Sequence, residues 1–264
     1  MTTPIALLTD FGHVDPYVGV MKAVMHGISP ASSFIDLTHE VPPQDVRVAG
    51  LLLDGAIPYL PQGTVALVVV DPGVGTARRP LAVAAGGLYF VGPDNGVLSL
   101  ALSRFEAVRV VELTSQAHRL ARPSHTFHGR DIFSPAAAHL AAGTPLEDLG
   151  PPIDDWLILD WPRAERIAGG WRGEVLHVDH FGNAITNIDG AVAPAGACVE
   201  VAGNARVPVC RAYGDVESGD SVALVGSTGR LEVSVNGGSA AAAFGLVVGS
   251  GVRLRLDGRS DSTE

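Results

Sequence analysis

Apolar and polar positions divide the chain into two halves of different texture. In the first, short and nearly unbroken apolar runs occur at residues 5–8, 34–37 and 65–70. A fourth run, 108–113, is interrupted by Arg109 and Glu112 and reads as a more exposed strand. Between them lie stretches of helical spacing at 17–28, 45–57 and 96–105. Such alternation predicts an α/β domain: a mostly parallel sheet with helices on both faces. Residues 131–142 read as a further helix, with Pro135 tolerated in its first turn and Gly143 closing its end.

The second half has a different period. Leu231-Glu232-Val233-Ser234-Val235 and Val252-Arg253-Leu254-Arg255-Leu256 alternate apolar and polar residues, as half-exposed strands do. Frequent glycines separate these runs, which predicts a small antiparallel β-barrel or sandwich. Prolines and glycines between Pro151 and Gly170 mark a linker. The expected division is an N-terminal α/β domain over residues 1–163 and a smaller C-terminal antiparallel β-barrel over 171–258. The polar tail from Gly258 to Glu264 is expected to fray.

Composition narrows the class. The 264 residues are 47% hydrophobic and 17% charged, enough apolar mass for a sizeable core. A net charge of -10 argues against a nucleic-acid partner, which needs a basic face, and leaves room for a small cationic substrate. No segment approaches the roughly 20 apolar residues of a membrane span. The start, Met1-Thr2-Thr3-Pro4, lacks the regions of a signal peptide. Cys198 and Cys210 form no ligand pattern and read as reduced thiols. The expected location is the cytoplasm.

Three strands of the first half end in polar side chains: Thr9-Asp10, Thr38-His39 and Asp71. Carboxyl ends of parallel strands line the ligand crevice of an open sheet, so Asp10, His39 and Asp71 are candidates for one shared site. Each also suits a helix cap. Asp71-Pro72-Gly73-Val74-Gly75-Thr76-Ala77-Arg78-Arg79 is a glycine-rich turn followed by two arginines, and an arginine folded back on Asp71 would keep it ionised. It lacks the endings of phosphate-cradling loops. The segment from Ser124 to Phe133 crowds His125, His128, Arg130 and Asp131 around Gly129, with Phe127 either core or a stacking face. Asp179-His180-Phe181-Gly182-Asn183 reads either as a Gly/Asn turn or as ligand contacts, the Asn suiting the edge of adenine and the Asp an ammonium.

Together these strings resemble the S-adenosylmethionine (SAM) hydroxide adenosyltransferase family, relatives of the SAM-dependent fluorinase and chlorinase. The motifs that carry the resemblance are Thr9-Asp10-Phe11-Gly12, Asp71-Pro72-Gly73-Val74-Gly75-Thr76, Pro93-Asp94-Asn95-Gly96, Phe127-His128-Gly129-Arg130-Asp131, Phe181-Gly182-Asn183 and Val235-Asn236-Gly237-Gly238-Ser239. They fall in order along nearly the whole chain. The resemblance implies a homotrimer of two-domain subunits that hydrolyses SAM to adenosine and L-methionine, with sites at the subunit interfaces where SAM lies between the N-terminal domain of one subunit and the C-terminal domain of its neighbour. SAM is the substrate, and no cofactor and no metal is implied. The family's Asp-Arg-His set matches Asp71, Arg78 and His128. Asp10 matches the ribose contact, Asp179 the ammonium contact, Asn183 the adenine reader and Ser227 a contact to the methionine carboxylate. Where the fluorinase has an arginine next to that serine, this chain has Thr228, and Tyr17 and Gln44 also depart from its pocket. Three other readings compete: a halogenase using chloride, a SAM-binding module without turnover, and a metal-dependent hydrolase built on Asp10, His13, Asp15, His39, Asp71, His125 and His128, for which no ligand spacing such as HExxH speaks.

Overall fold

A computed structural model describes residues Thr3 to Leu256; the expectation for the tail from Gly258 lies outside them. The chain divides into two compact units, Met1–Asp160 and Trp161–Glu264.

The first unit is built on a seven-stranded mixed sheet. Its strands are β1 (Pro4–Thr9), β2 (Ser33–Thr38), β3 (Val65–Val69), β4 (Pro80–Ala85), β5 (Leu88–Pro93), β6 (Val108–Glu112) and β7 (Pro152–Ile153), in the order β2-β1-β3-β5-β4-β6-β7. The pairs β1/β2, β1/β3 and β3/β5 are parallel, the arrangement the apolar runs predict. The rest pair antiparallel, because β4 and β5 form a hairpin. The hairpin turns at Gly86-Gly87, both with positive φ, and this glycine pair between two apolar runs is the sequence signal for it.

The helices are α1 (Tyr17–Ile28), α2 (Val46–Ala56), the single-turn α3 (Ser99–Leu102) and α4 (Ser134–Ala141). Asp45 caps α2 by accepting from the Val48 amide. The helix expected over 96–105 thus shrinks to one turn. Successive residues of β3 face opposite sides. Val65, Leu67 and Val69 pack with Met21 and Met25 of α1 and Ala137 of α4. Ala66, Val68 and Val70 pack with Val48 and Leu53 of α2 and Leu102 of α3. Helices therefore cover both faces, and β3 is buried on each side.

The second unit holds β8 (Glu165–Ile167), β9 (Gly170–Val178), β10 (Ala184–Asp189), β11 (Cys198–Val201), β12 (Ala205–Pro208), β13 (Ser221–Val225), β14 (Arg230–Val235) and β15 (Gly251–Arg255), with the short α-helix α5 (Ala240–Phe244). The order is β12-β11-β15-β9-β10-β14-β13, with β8 added beside β9. Every strand pairing is antiparallel. Beyond β12, Val209 bridges Ala223 of β13 and the Cys210 amide donates to the Ala223 carbonyl, so the sheet curls toward a closed barrel. Arg253 follows the half-exposed pattern, but β14 departs from it: Glu232 is 7% exposed and Ser234 fully buried. Alternation shows that a strand has two faces; it does not show that one of them is wet.

Candidate active site

β1 and β3 are parallel neighbours with Thr9 opposite Val69, so Asp10 and Asp71 leave the same sheet edge from adjacent strands. After Asp71 the chain makes consecutive tight turns, with the Val74 amide donating to the Asp71 carbonyl and the Thr76 amide to the Gly73 carbonyl. Gly75 has φ +77, and a Cβ there would lie 2.3 Å from the His125 carbonyl oxygen. Only glycine lets this turn lie against the 124–128 segment.

The turn sends Arg78 back over Asp71. Its Nε donates to both carboxylate oxygens, at 2.9 and 3.1 Å, and a terminal nitrogen also donates to Oδ2. That same nitrogen donates to His128 Nδ1 at 2.9 Å. Arginine has no acceptor, so His128 accepts at Nδ1 and its neutral ring carries the proton on Nε2. The carboxylate and guanidinium are 5% and 9% exposed. The guanidinium also lies 5.0 Å from the Phe133 ring centroid. Burial first, and then the adjacent Arg78 charge, hold the His128 imidazole below its usual range.

Neighbouring motif residues brace this set. Arg79 ion-pairs with Asp94 and Asp155, and the Asn95 side-chain Nδ2 donates to the Val70 carbonyl beside Asp71. Asp131 is fully buried. It takes two hydrogen bonds from Arg130 and one from the Ser124 amide, tying the loop ahead of His128 to the helix behind it. Burial pushes this carboxyl up, but those donors win and hold it below the ordinary range. Residues 129–133 form a π-helical turn leading into α4, and Pro135 sits in the first turn of α4.

Other expected site residues have different surroundings. Asp10 accepts from the Gln44 amide through Oδ2. His39 does not line the crevice: it is 1% exposed, bonded to Thr9 Oγ1 and Asp36 Oδ1, where it shapes the start of the Thr9-Asp10-Phe11-Gly12 turn. Phe127 is half-buried against Phe11 and Tyr17, with Arg130 over its ring. Among the described residues, no three His, Cys, Asp or Glu side chains gather to hold a metal ion.

In the second unit Asp179 shapes its turn. Oδ1 accepts from the Phe181 and Asn183 amides, and Oδ2 from the Asn183 side chain. Gly182, at φ +83, brings the turn against Ser239. A cavity of about 580 Å³ opens here, lined by Phe181, Asn183, Tyr213, Val235, Gly237, Gly238 and Ser239. Tyr213 is a lining residue the sequence reading missed, since a lone tyrosine in a polar loop gives no signal. Ser227 sits exposed in the turn between β13 and β14, beside Gly226, which abuts the Glu232 carboxylate.

Known proteins with this pattern are close at hand. Residues 5–150 match the SAM hydroxide adenosyltransferase N-terminal domain, and residues 173–253 match its C-terminal domain. The (R)-S-adenosyl-L-methionine hydrolase of Thermus thermophilus is 49% identical over 258 residues, covering 95% of this chain and 99% of its own. A fluorinase from Actinopolyspora mzabensis is more distant, at 27% identity, with 95% of this chain and 96% of its own covered. A solved structure of an uncharacterized conserved protein from Thermotoga maritima superposes with a TM-score of 0.89 at 38% identity, covering 95% of this chain and 99% of that one. This chain belongs to the SAM hydroxide adenosyltransferase family.

Proposed function

We propose that this chain hydrolyses SAM to adenosine and L-methionine, with water attacking C5′ of the ribose. The observation that carries the reading is the part-buried Asp71–Arg78–His128 set, in which Arg78, folded back on Asp71 from the same turn, also bonds His128 from 50 residues away. The leaving group departs as a neutral thioether and needs no general acid. The difficulty lies with water, a poor nucleophile at an sp³ carbon. It must be held in line with the C5′–S bond and lose a proton. Positioning supplies roughly 7–11 kcal/mol in well-oriented systems, and a general base about 10²–10⁴-fold.

The hydrogen bonds divide the labour. His128 Nδ1 faces a guanidinium, so a proton arriving there would break the bond to Arg78 and meet its charge. His128 Nε2–H is a donor and suits holding the water oxygen. Asp71 keeps lone pairs beyond those Arg78 uses and is the better proton acceptor. Arg78 favours hydroxide character in the attacking oxygen.

Binding roles follow the same accounting. Asp10 has one carboxylate oxygen beyond the Gln44 contact for the ribose hydroxyls. Asn183 spends its amino group on Asp179, which leaves its carbonyl to accept from an adenine amino group. Asp179 accepts three bonds and a carboxylate has about four sites, leaving one for the substrate ammonium. Phe127 offers an aromatic face and Ser227 a hydroxyl for the methionine carboxylate. The reading includes a homotrimer in the cytoplasm and no cofactor beyond the substrate. No described helix is long and apolar enough to cross a membrane.

The test is chromatography of the products formed from SAM in ¹⁸O-labelled water, with and without chloride. Labelled adenosine and methionine support hydrolysis; 5′-chloro-5′-deoxyadenosine or unconsumed SAM would sink it. Asp71→Ala should abolish adenosine release while SAM still binds.

A further inference from the structure

We propose that Glu232 is a positioning residue for substrate binding: through the phenol of Tyr213 it fixes one aromatic wall of the cavity in the second unit. This rests on the reading that the cavity takes the adenosine portion of SAM.

Tyr213 lines that cavity beside Phe181 and Asn183 and is 41% exposed. A half-exposed aromatic on a short turn would ordinarily sample several rotamers. Here both ends of the residue are tied. At its base, Asp215 Oδ2 accepts from the Arg211 and Ala212 amides at 2.9 and 3.1 Å. At its tip, the hydroxyl donates to Glu232 Oε1 at 2.6 Å. Holding a wall in its binding position before the ligand arrives removes an ordering cost from association.

The fold reserves space for this acid. Glu232 lies on β14 with almost all of its surface covered. A Cβ at Gly226 would lie 2.2 Å from Oε2, so the β13–β14 turn leaves room there for the carboxylate. The groups acting on the carboxyl are Tyr213, Ser234 and Asp179, and Asp179 is itself acidic. Burial, reinforced by Asp179, pushes the Glu232 carboxyl up. A carboxylate placed so is costly to bury, and an apolar residue at this strand position would pack without that cost. What the acid adds is a strong acceptor for one phenol. Burial and this bond push the Tyr213 hydroxyl up to about 12, so it remains a donor at working pH.

The device acts on binding and leaves the chemistry at C5′ alone. The experiment compares wild type with Tyr213→Phe, Glu232→Ala and Glu232→Gln. It measures kcat and KM for adenosine release from SAM, and titrates adenosine itself by calorimetry. Tyr213→Phe and Glu232→Ala should raise KM and the adenosine Kd about tenfold, the worth of one charge-assisted hydrogen bond. In both, kcat should stay within about twofold, because binding alone is weakened. Glu232→Gln keeps a carbonyl that accepts the same bond, without its charge, and should restore part of both losses. If Tyr213→Phe leaves KM and Kd unmoved, or kcat falls instead, the inference is overturned. It is also overturned if a folded Glu232→Gln binds as poorly as Glu232→Ala. Should Glu232→Ala fail to fold, Tyr213→Phe decides alone, since it removes only an oxygen. A wild type that consumes no SAM and binds no adenosine overturns the functional reading, and this one with it; turnover with unmoved constants overturns this one only.

Discussion

Arg78 donates to His128 Nδ1 at 2.9 Å from the same terminal nitrogen that reaches the Asp71 carboxylate. One guanidinium thus fixes both the tautomer of the imidazole and the orientation of the acid. A lysine carries the charge without the planar fork. Arg78→Lys should lower kcat by about 10²–10³-fold, the usual loss when a preorganised donor is removed. KM for SAM should change little. Steady-state adenosine release measures both.

The pH profile follows from His128. Its folded-state pKa is depressed, mainly by burial and then by Arg78. As pH falls through that depressed value the ring charges at Nδ1, the bond to Arg78 breaks and kcat falls. Activity should therefore hold across neutral pH and show an acid limb below the ordinary imidazole range. The stability sign agrees. The unfolded chain takes up this proton first, so stability declines as pH drops from the unfolded value to the folded one. His128→Asn, which still offers an acceptor to Arg78, should remove that limb; a limb that persists unchanged assigns it to another group.

Gly75 holds the turn that carries Arg78 against the His125 carbonyl. Gly75→Ala brings a Cβ within 2.3 Å of a backbone oxygen at φ +77. The strain is roughly 1–3 kcal/mol. Calorimetry should show a lower Tm, and kcat should fall because relieving the clash moves Arg78 away from His128.

The Arg79–Asp94 pair acts at one remove. Asp94 accepts from Arg79 at 2.9 Å and from the Leu157 amide at 2.7 Å, holding the turn downstream of Asp71. Asp94→Ala leaves a partly buried guanidinium short of one partner. It should lower kcat about tenfold or less and shift the thermal midpoint downward, whereas Asp94→Asn should recover part of both losses.

Glu232 makes a stability prediction of opposite sign. Its carboxyl is raised in the fold, so the folded chain holds that proton more tightly than the unfolded one. The ionised form costs stability at neutral pH, and the cost fades as pH falls through the folded value. Glu232→Gln should raise the Tm at pH 7, with the gain shrinking in acid. A Tm lowered at pH 7 contradicts it.

Much of this protein is determined locally. The apolar runs at 5–8 and 65–70 read as strands buried on both faces, and β1 and β3 are that. Asp45 ahead of an amphipathic run sets the start of α2, and positive-φ glycines set the turns at 75 and 182. The ordered motifs led to the family. Tertiary structure decided which polar residues meet. Asp10, His39 and Asp71 look alike as strand-end residues, yet His39 turns inward to Thr9 and Asp36 while Asp71 turns to Arg78. Glu232 reads as a solvent-facing strand position and is buried, and Tyr213 gives no signal until a cavity forms beside it. The reason is physical. Backbone preference and apolar period are properties of neighbours along the chain. Burial of a charge, or a hydrogen bond spanning 50 residues, depends on what the rest of the fold brings to that point.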